Sequence, residues 1–156
     1  MKVTWFSLYN LVLALWIGGM AIFTFIVTPV IFKAYGRNMA GEIVGHLFPG
    51  YFLYNLILAA AALVLFFLLA TERTTLAGRL SLALLAAALI VNVFIVFKLH
   101  PSAVKAKHEV ASFERESPDS TARKKFTRLH ALSASLNLLL LADGITLLLV
   151  SPLPKK

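Results

Sequence analysis

The sequence predicts an all-α integral membrane protein, a four-helix bundle. Three observations carry this. Sixty per cent of the 156 residues are apolar, only 14% are charged, and the mean hydropathy is +0.84. The apolar residues collect in four runs, 3–32, 51–70, 80–99 and 129–150, each long enough to cross a hydrocarbon layer as helix, which takes roughly 20 residues. Each run also carries one asparagine, Asn10, Asn55, Asn92 or Asn137. An amide in lipid is costly without a partner, so these side chains are expected to turn inward, toward one another or toward a cargo. The spans use most of the chain, which leaves one membrane domain over 1–156.

The first run follows Lys2. It is too long for a signal-peptide core and is read as a retained helix. It contains Trp16 and the small pair Gly18-Gly19, a place where helices can approach closely, within the chain or between copies of a homo-oligomer. Pro29 is expected to kink its end. Trp5 and Tyr9 at one boundary, and Tyr35, Tyr51 and Tyr54 at the other, are expected as interfacial anchors. The segment from Asn38 to Phe48 has helical spacing at Ala40, Ile43, Val44, Leu47 and Phe48. It predicts a short interfacial helix capped by Asn38 and stopped by Pro49-Gly50.

The second and third runs are rich in Leu, Phe and Ala, with alanine clusters at 59–62 and 86–88 that read as packing surfaces. After the third run, Pro101 is expected to bend the chain. Ala103, Ala106, Val110 and Phe113 then recur at spacings of three and four. Ser117-Pro118 has the form of a cap followed by proline at the first helical position. Helices 3 and 4 are therefore predicted to extend past the membrane as an antiparallel hairpin. No internal repeat is evident.

With four spans, both chain ends and the 71–79 loop share one side, called side A. The 33–50 and 100–128 loops lie on side B. Side A carries five Lys/Arg and side B ten, with Lys98 at the end of the third run included. The net charge of +8 is thus distributed as membrane flanks, which argues against nucleic acid as a partner. The higher count favours side B as cytoplasmic, in an inner (cell) membrane. The absence of cysteine excludes disulfides and thiolate chemistry.

Three histidines, His46, His100 and His130, are expected at one level on side B. Imidazoles ligate copper, zinc and haem iron and shuttle protons near neutral pH, so the three form a candidate metal set. Scattered histidines at helix exits are the plainer alternative. Asn137 lies seven residues after His130 and Gly144 seven after that, so one face of the fourth helix is small and polar, as an interface or as a cavity wall. Asp143 is the lone acid within a span, which makes it a functional candidate, with Asn10 as its expected partner. No phosphate loop, metalloprotease motif or nucleophile elbow is present.

Thr24-Phe25, Phe32-Lys33, Arg37, Gly41, Leu47-Phe48-Pro49 and Tyr51-Phe52 resemble the first block of the transmembrane protein 205-like family, whose bacterial members are filed as a domain of unknown function. Phe126, His130, Leu132-Ser133 and Asn137-Leu138 resemble its last block. The resemblance implies a four-helix membrane protein with no established catalytic activity. Its animal branch is associated with resistance to platinum drugs, which hints at soft-metal handling. Asn92 carries over from the family with looser spacing to Pro101, and Asp143, His46 and His100 match none of its motifs. Trp16-Ile17-Gly18-Gly19 is similar to copper-resistance domains and to haem-containing protoporphyrinogen oxidases. The expected function is non-enzymatic binding or transport of a small ligand, such as a metal ion or its complex, with His130 and Asn137 lining the site. A haem-binding oxidoreductase and a structural subunit docking through the hairpin are the alternatives.

Overall fold

The structure, a computed structural model, describes residues 2–69, 75–115 and 117–150. Its helices are α1 (Lys2–Ile22), α2 (Thr28–Ala34), α3 (Arg37–Leu68), α4 (Leu76–Phe94), α5 (His100–His108) and α6 (Thr121–Val150). A π turn, Phe23–Val27, fuses α1 to α2, and another, Ile95–Leu99, fuses α4 to α5. Four continuous rods result, Thr4–Ala34, Arg37–Leu68, Leu76–His108 and Thr121–Val150, each long and apolar enough to cross a membrane. They are longer than the sequence runs because helix propagates through the polar flanks once a neighbour covers one face.

The rods pack as a closed square. The first contacts the second, the second the third, the third the fourth, and the fourth returns to the first. The first and third rods are therefore diagonal. Both use the same device. The Thr28 N–H donates to the Phe23 carbonyl and the His100 N–H to the Ile95 carbonyl, each one residue before a proline. A π turn reroutes the ladder around the hydrogen bond that the proline cannot make. Neither proline breaks its rod. This shared π turn and proline is a structural repetition that the sequence alone does not disclose.

Several expectations need correction. The segment 38–48 is not a separate interfacial helix but the first turns of α3, which runs on through Pro49. The residue four before Pro49, whose carbonyl the ring would crowd, is Gly45. The N-cap of α3 is Gly36, with no side-chain cap, and Asn38 instead holds a loop. Helix α5 ends at His108, so Val110 and Phe113 are not helical. The Phe113 N–H donates to Asn38 Oδ1 (2.8 Å) and Asn38 Nδ2 donates to Ser112 Oγ (3.1 Å), so a tertiary partner overrides the local periodicity. Helix α6 starts at Thr121 rather than Pro118, with Ser120 Oγ accepting from the Arg123 N–H. Tyr9 and Tyr51 are buried in the bundle and are not surface anchors.

The core between the rods is tightest toward side A. Leu13, Trp16, Met20, Ala59, Ala62, Leu85 and Leu147 are fully buried there. Gly144 seats α6 on α1, since a Cβ would lie 3.0 Å from Ile17 Cγ1. Gly19 makes room for the Tyr54 ring, whose hydroxyl donates to the Leu15 carbonyl. Gly19 and the alanines Ala59, Ala62 and Ala88 thus serve packing within the chain, while Gly18 faces open space.

Candidate functional site

On the side B half, the four rods part around a cavity of about 260 Å³. Three helix faces build it, and each has a helical repeat. Helix α3 presents Gly41, Val44, Gly45, Phe48 and Phe52. Helix α5 presents His100, Ala103 and Lys107, spaced by three and four, and α6 presents Phe126, His130 and Ser133. Thr28 and Phe32 of α2 and Phe113 of the 109–115 loop complete the wall.

The walls are aromatic. His100 sets its edge against Phe52 (5.2 Å between centroids) and Phe48 (6.2 Å). His130 stacks on Phe126 (5.8 Å, 14°), which in turn meets Phe113 edge to face (5.0 Å). Arg37 and Lys107 supply the only charged side chains of the lining, and no carboxylate is among them. Lys107 Nζ donates to the Gly41 carbonyl (2.9 Å) and lies 3.1 Å from where a Cβ on Gly45 would be. Gly41 and Gly45 thus form a smooth bed for the lysine.

One turn below the cavity, a hydrogen-bonded seam crosses the bundle. Asn137 Oδ1 accepts from the Tyr51 hydroxyl, and Asn137 Nδ2 donates to Thr24 Oγ1 (2.8 Å). The Tyr51 hydroxyl also faces Asn55. Three rods are tied at this level, each through a side chain that would otherwise be an unmatched polar group in an apolar core.

The predicted residues therefore divide. His100 and His130 line one cavity, with Asn137 beneath its floor. His46 is exposed on α3 and outside the lining. Among the described residues, no three His, Asp or Glu side chains are grouped to hold a metal ion, so the set of His46, His100 and His130 is not assembled as a metal centre. Asn92 is buried and donates to its own helix at the Ala88 carbonyl (2.9 Å). Asp143 is half-buried at the far end of α6, near Tyr9 of α1, with Asn10 the next residue along that helix. Asp143 and Asn10 lie outside the cavity.

Sequence reasoning missed Arg37, Lys107, Thr24 and Tyr51. The sequence puts His100, Ala103 and Lys107 on one helical face, but the meeting of Lys107 with Gly41 and Gly45 of another rod is visible only in the structure.

A family model described as a domain of unknown function, DUF4149, matches residues 11–112. That stretch holds the first block and the Arg37, His100 and Lys107 wall. It stops before His130 and Asn137, so it supports neither the last-block resemblance nor the transmembrane protein 205-like name. No curated protein and no solved structure gives a significant match.

Proposed function

The chain belongs to the DUF4149 family, a domain of unknown function, and on that premise we propose that it is an integral membrane protein that binds a small organic ligand in the four-rod cavity. The observation that carries this is the convergence of all four rods on one aromatic chamber, with His100 and His130 as its polar fixtures. Mostly apolar walls with a few placed polar groups are the usual form of a small-molecule site. A chamber of about 260 Å³ suits one substituted ring or a short acyl chain.

The third rod has 33 residues, about 50 Å at 1.5 Å per residue, against a hydrocarbon core of about 30 Å. In this reading the excess carries α5 and the start of α6 into the headgroup layer and water on side B, as the projecting hairpin. The chamber then lies at that boundary, open to ligands that partition into it from the cytoplasmic side of a cell membrane.

Native mass spectrometry of the protein released from its own membrane tests this. The wild type is expected to carry a small-molecule adduct. Ala103→Phe, which fills the chamber from α5, is expected to lose it while melting within a few degrees of the wild type. An adduct retained unchanged by Ala103→Phe, or none in the wild type, overturns the reading.

A further inference from the structure

We infer that the ligand class of this chamber is an amphiphilic anion, with a carboxylate or phosphate group held by Lys107 and Arg37 and an apolar body between the phenylalanines. The inference rests on the proposed function and names the chemistry of its ligand.

Three observations point to it. First, among the described residues the lining holds Arg37 and Lys107 and no Asp or Glu; the Glu114 carboxylate lies beside Asn38, outside the lining, and accepts from the Asn38 N–H (3.5 Å). The ion pairs among the described residues, Lys124 with Asp119 and Lys125 with Glu109, involve neither. A bare metal cation entering here would meet two like charges, so cation cargo is opposed by the field of the site. Second, Lys107 is half-buried, and its ammonium is positioned rather than free in water. It donates to the Gly41 carbonyl over the Gly41/Gly45 bed. One of its three protons is thereby used, and two remain for an acceptor. Third, the remaining wall is phenylalanine on four different segments, Phe32, Phe48 and Phe52, Phe113, and Phe126. Such a surface offers nothing to a small hydrated inorganic anion and much to an aryl or acyl body. Charge-assisted hydrogen bonds at the rim and apolar contact within together select an amphiphile.

The same chemistry has two sources, a free organic acid from the aqueous side and the headgroup end of an acidic phospholipid. Calorimetric titration of the full-length protein in a neutral detergent separates them. The probes are 2-naphthoate, its neutral counterpart 2-naphthalenemethanol, and dioctanoyl phosphatidylglycerol beside dioctanoyl phosphatidylcholine.

The naphthoate, the phosphatidylglycerol or both are expected to bind at least tenfold more tightly than the matched neutral or zwitterionic probe, and whichever does so identifies the source. Lys107→Gln combined with Arg37→Gln is expected to weaken the anion by roughly tenfold or more. Lys107→Arg is expected to retain it, and the affinity for 2-naphthalenemethanol is expected to stay unchanged throughout. That last readout separates loss of charge from loss of the chamber, because a lysine that merely braced Gly41 would change both probes alike. Equal affinity for charged and neutral probes, abolished by Ala103→Phe, overturns the anion assignment and leaves the chamber standing. No binding of any probe to the wild type overturns both.

Discussion

The two halves of the bundle are built from the same four rods and solve opposite problems. Toward side A, Leu13, Trp16, Met20, Leu85 and Leu147 are fully buried at the centre, and Gly144 brings α6 so close to α1 that a Cβ there would lie 3.0 Å from Ile17 Cγ1. Toward side B the rods part around a chamber. Between the halves lies the seam of Thr24, Asn137 and Tyr51. Within a membrane, lipid competes for apolar surface as well as protein does, so close packing and interhelical hydrogen bonds must hold the rods together. The side A half supplies close packing, the seam ties three rods together, and the side B half is held around the chamber by local bonds such as Lys107 to the Gly41 carbonyl. The π turn of the first rod contains Thr24 of the seam, and that of the third rod ends just before His100 of the chamber.

The comparison breaks if removal of a side A core residue is no worse than a change in the chamber. Trp16→Ala is expected to have the largest effect, about 3–5 kcal/mol of lost stability, because a fully buried indole leaves a hole that closes only in part. Measured by reversible unfolding in mixed detergent, a loss below about 1 kcal/mol would mean that the side A half does not carry the fold.

The seam is the next test. Asn137→Leu keeps the branching of the amide side chain at a larger volume and removes two interhelical bonds, leaving the Tyr51 and Thr24 hydroxyls without their Asn137 partner. Bonds of this kind average about 0.6 kcal/mol in a membrane protein and reach about 1.7, so a loss of about 1–3 kcal/mol is expected. The variant is also expected to weaken 2-naphthoate binding, since the floor of the chamber shifts. Lowered stability with unchanged binding would separate the seam from the site.

How much of this was legible in the sequence follows from which interactions are local. The four spans were, since apolar length is a one-dimensional signal. The sequence also put His100 and His130 at the same end of the bundle, because an antiparallel connection returns the chain there, but it did not show that both face one cavity. The role of Lys107 was hidden, since a lysine at the end of a membrane run has the same appearance whether it reaches for water or lies on the Gly41 carbonyl of another rod. Phe113 carried a misleading signal. Its spacing from Ala106 and Val110 continues the helix, but Asn38, 75 residues away, takes its N–H. The metal set is not assembled for a geometric reason: His46 is exposed on α3 and outside the cavity that His100 and His130 line, and position along a helix does not fix rotation about its axis.

The smallest expected effect concerns the connection that closes the side B half. After α5 the chain turns through 109–115, and Lys125 of α6 reaches back to Glu109, with Nζ 2.7 and 2.9 Å from the two carboxylate oxygens. The pair ties the turn to α6 outside the lining of the chamber. Both side chains are about half exposed, at 53% and 48%, so water and salt compete for each charge. Exposed pairs of this kind contribute about 0.2–1 kcal/mol. The bonds from Asn38 to Ser112 and Phe113 and the packing of Phe113 on Phe126 hold the same loop without any charge. Lys125→Ala is therefore expected to lower stability by less than about 1 kcal/mol, with the difference fading between low and high salt, and to leave anion affinity within twofold. A larger, salt-independent loss would show that the loop is held electrostatically, and the aromatic and Asn38 contacts would then be consequences of its closure rather than causes.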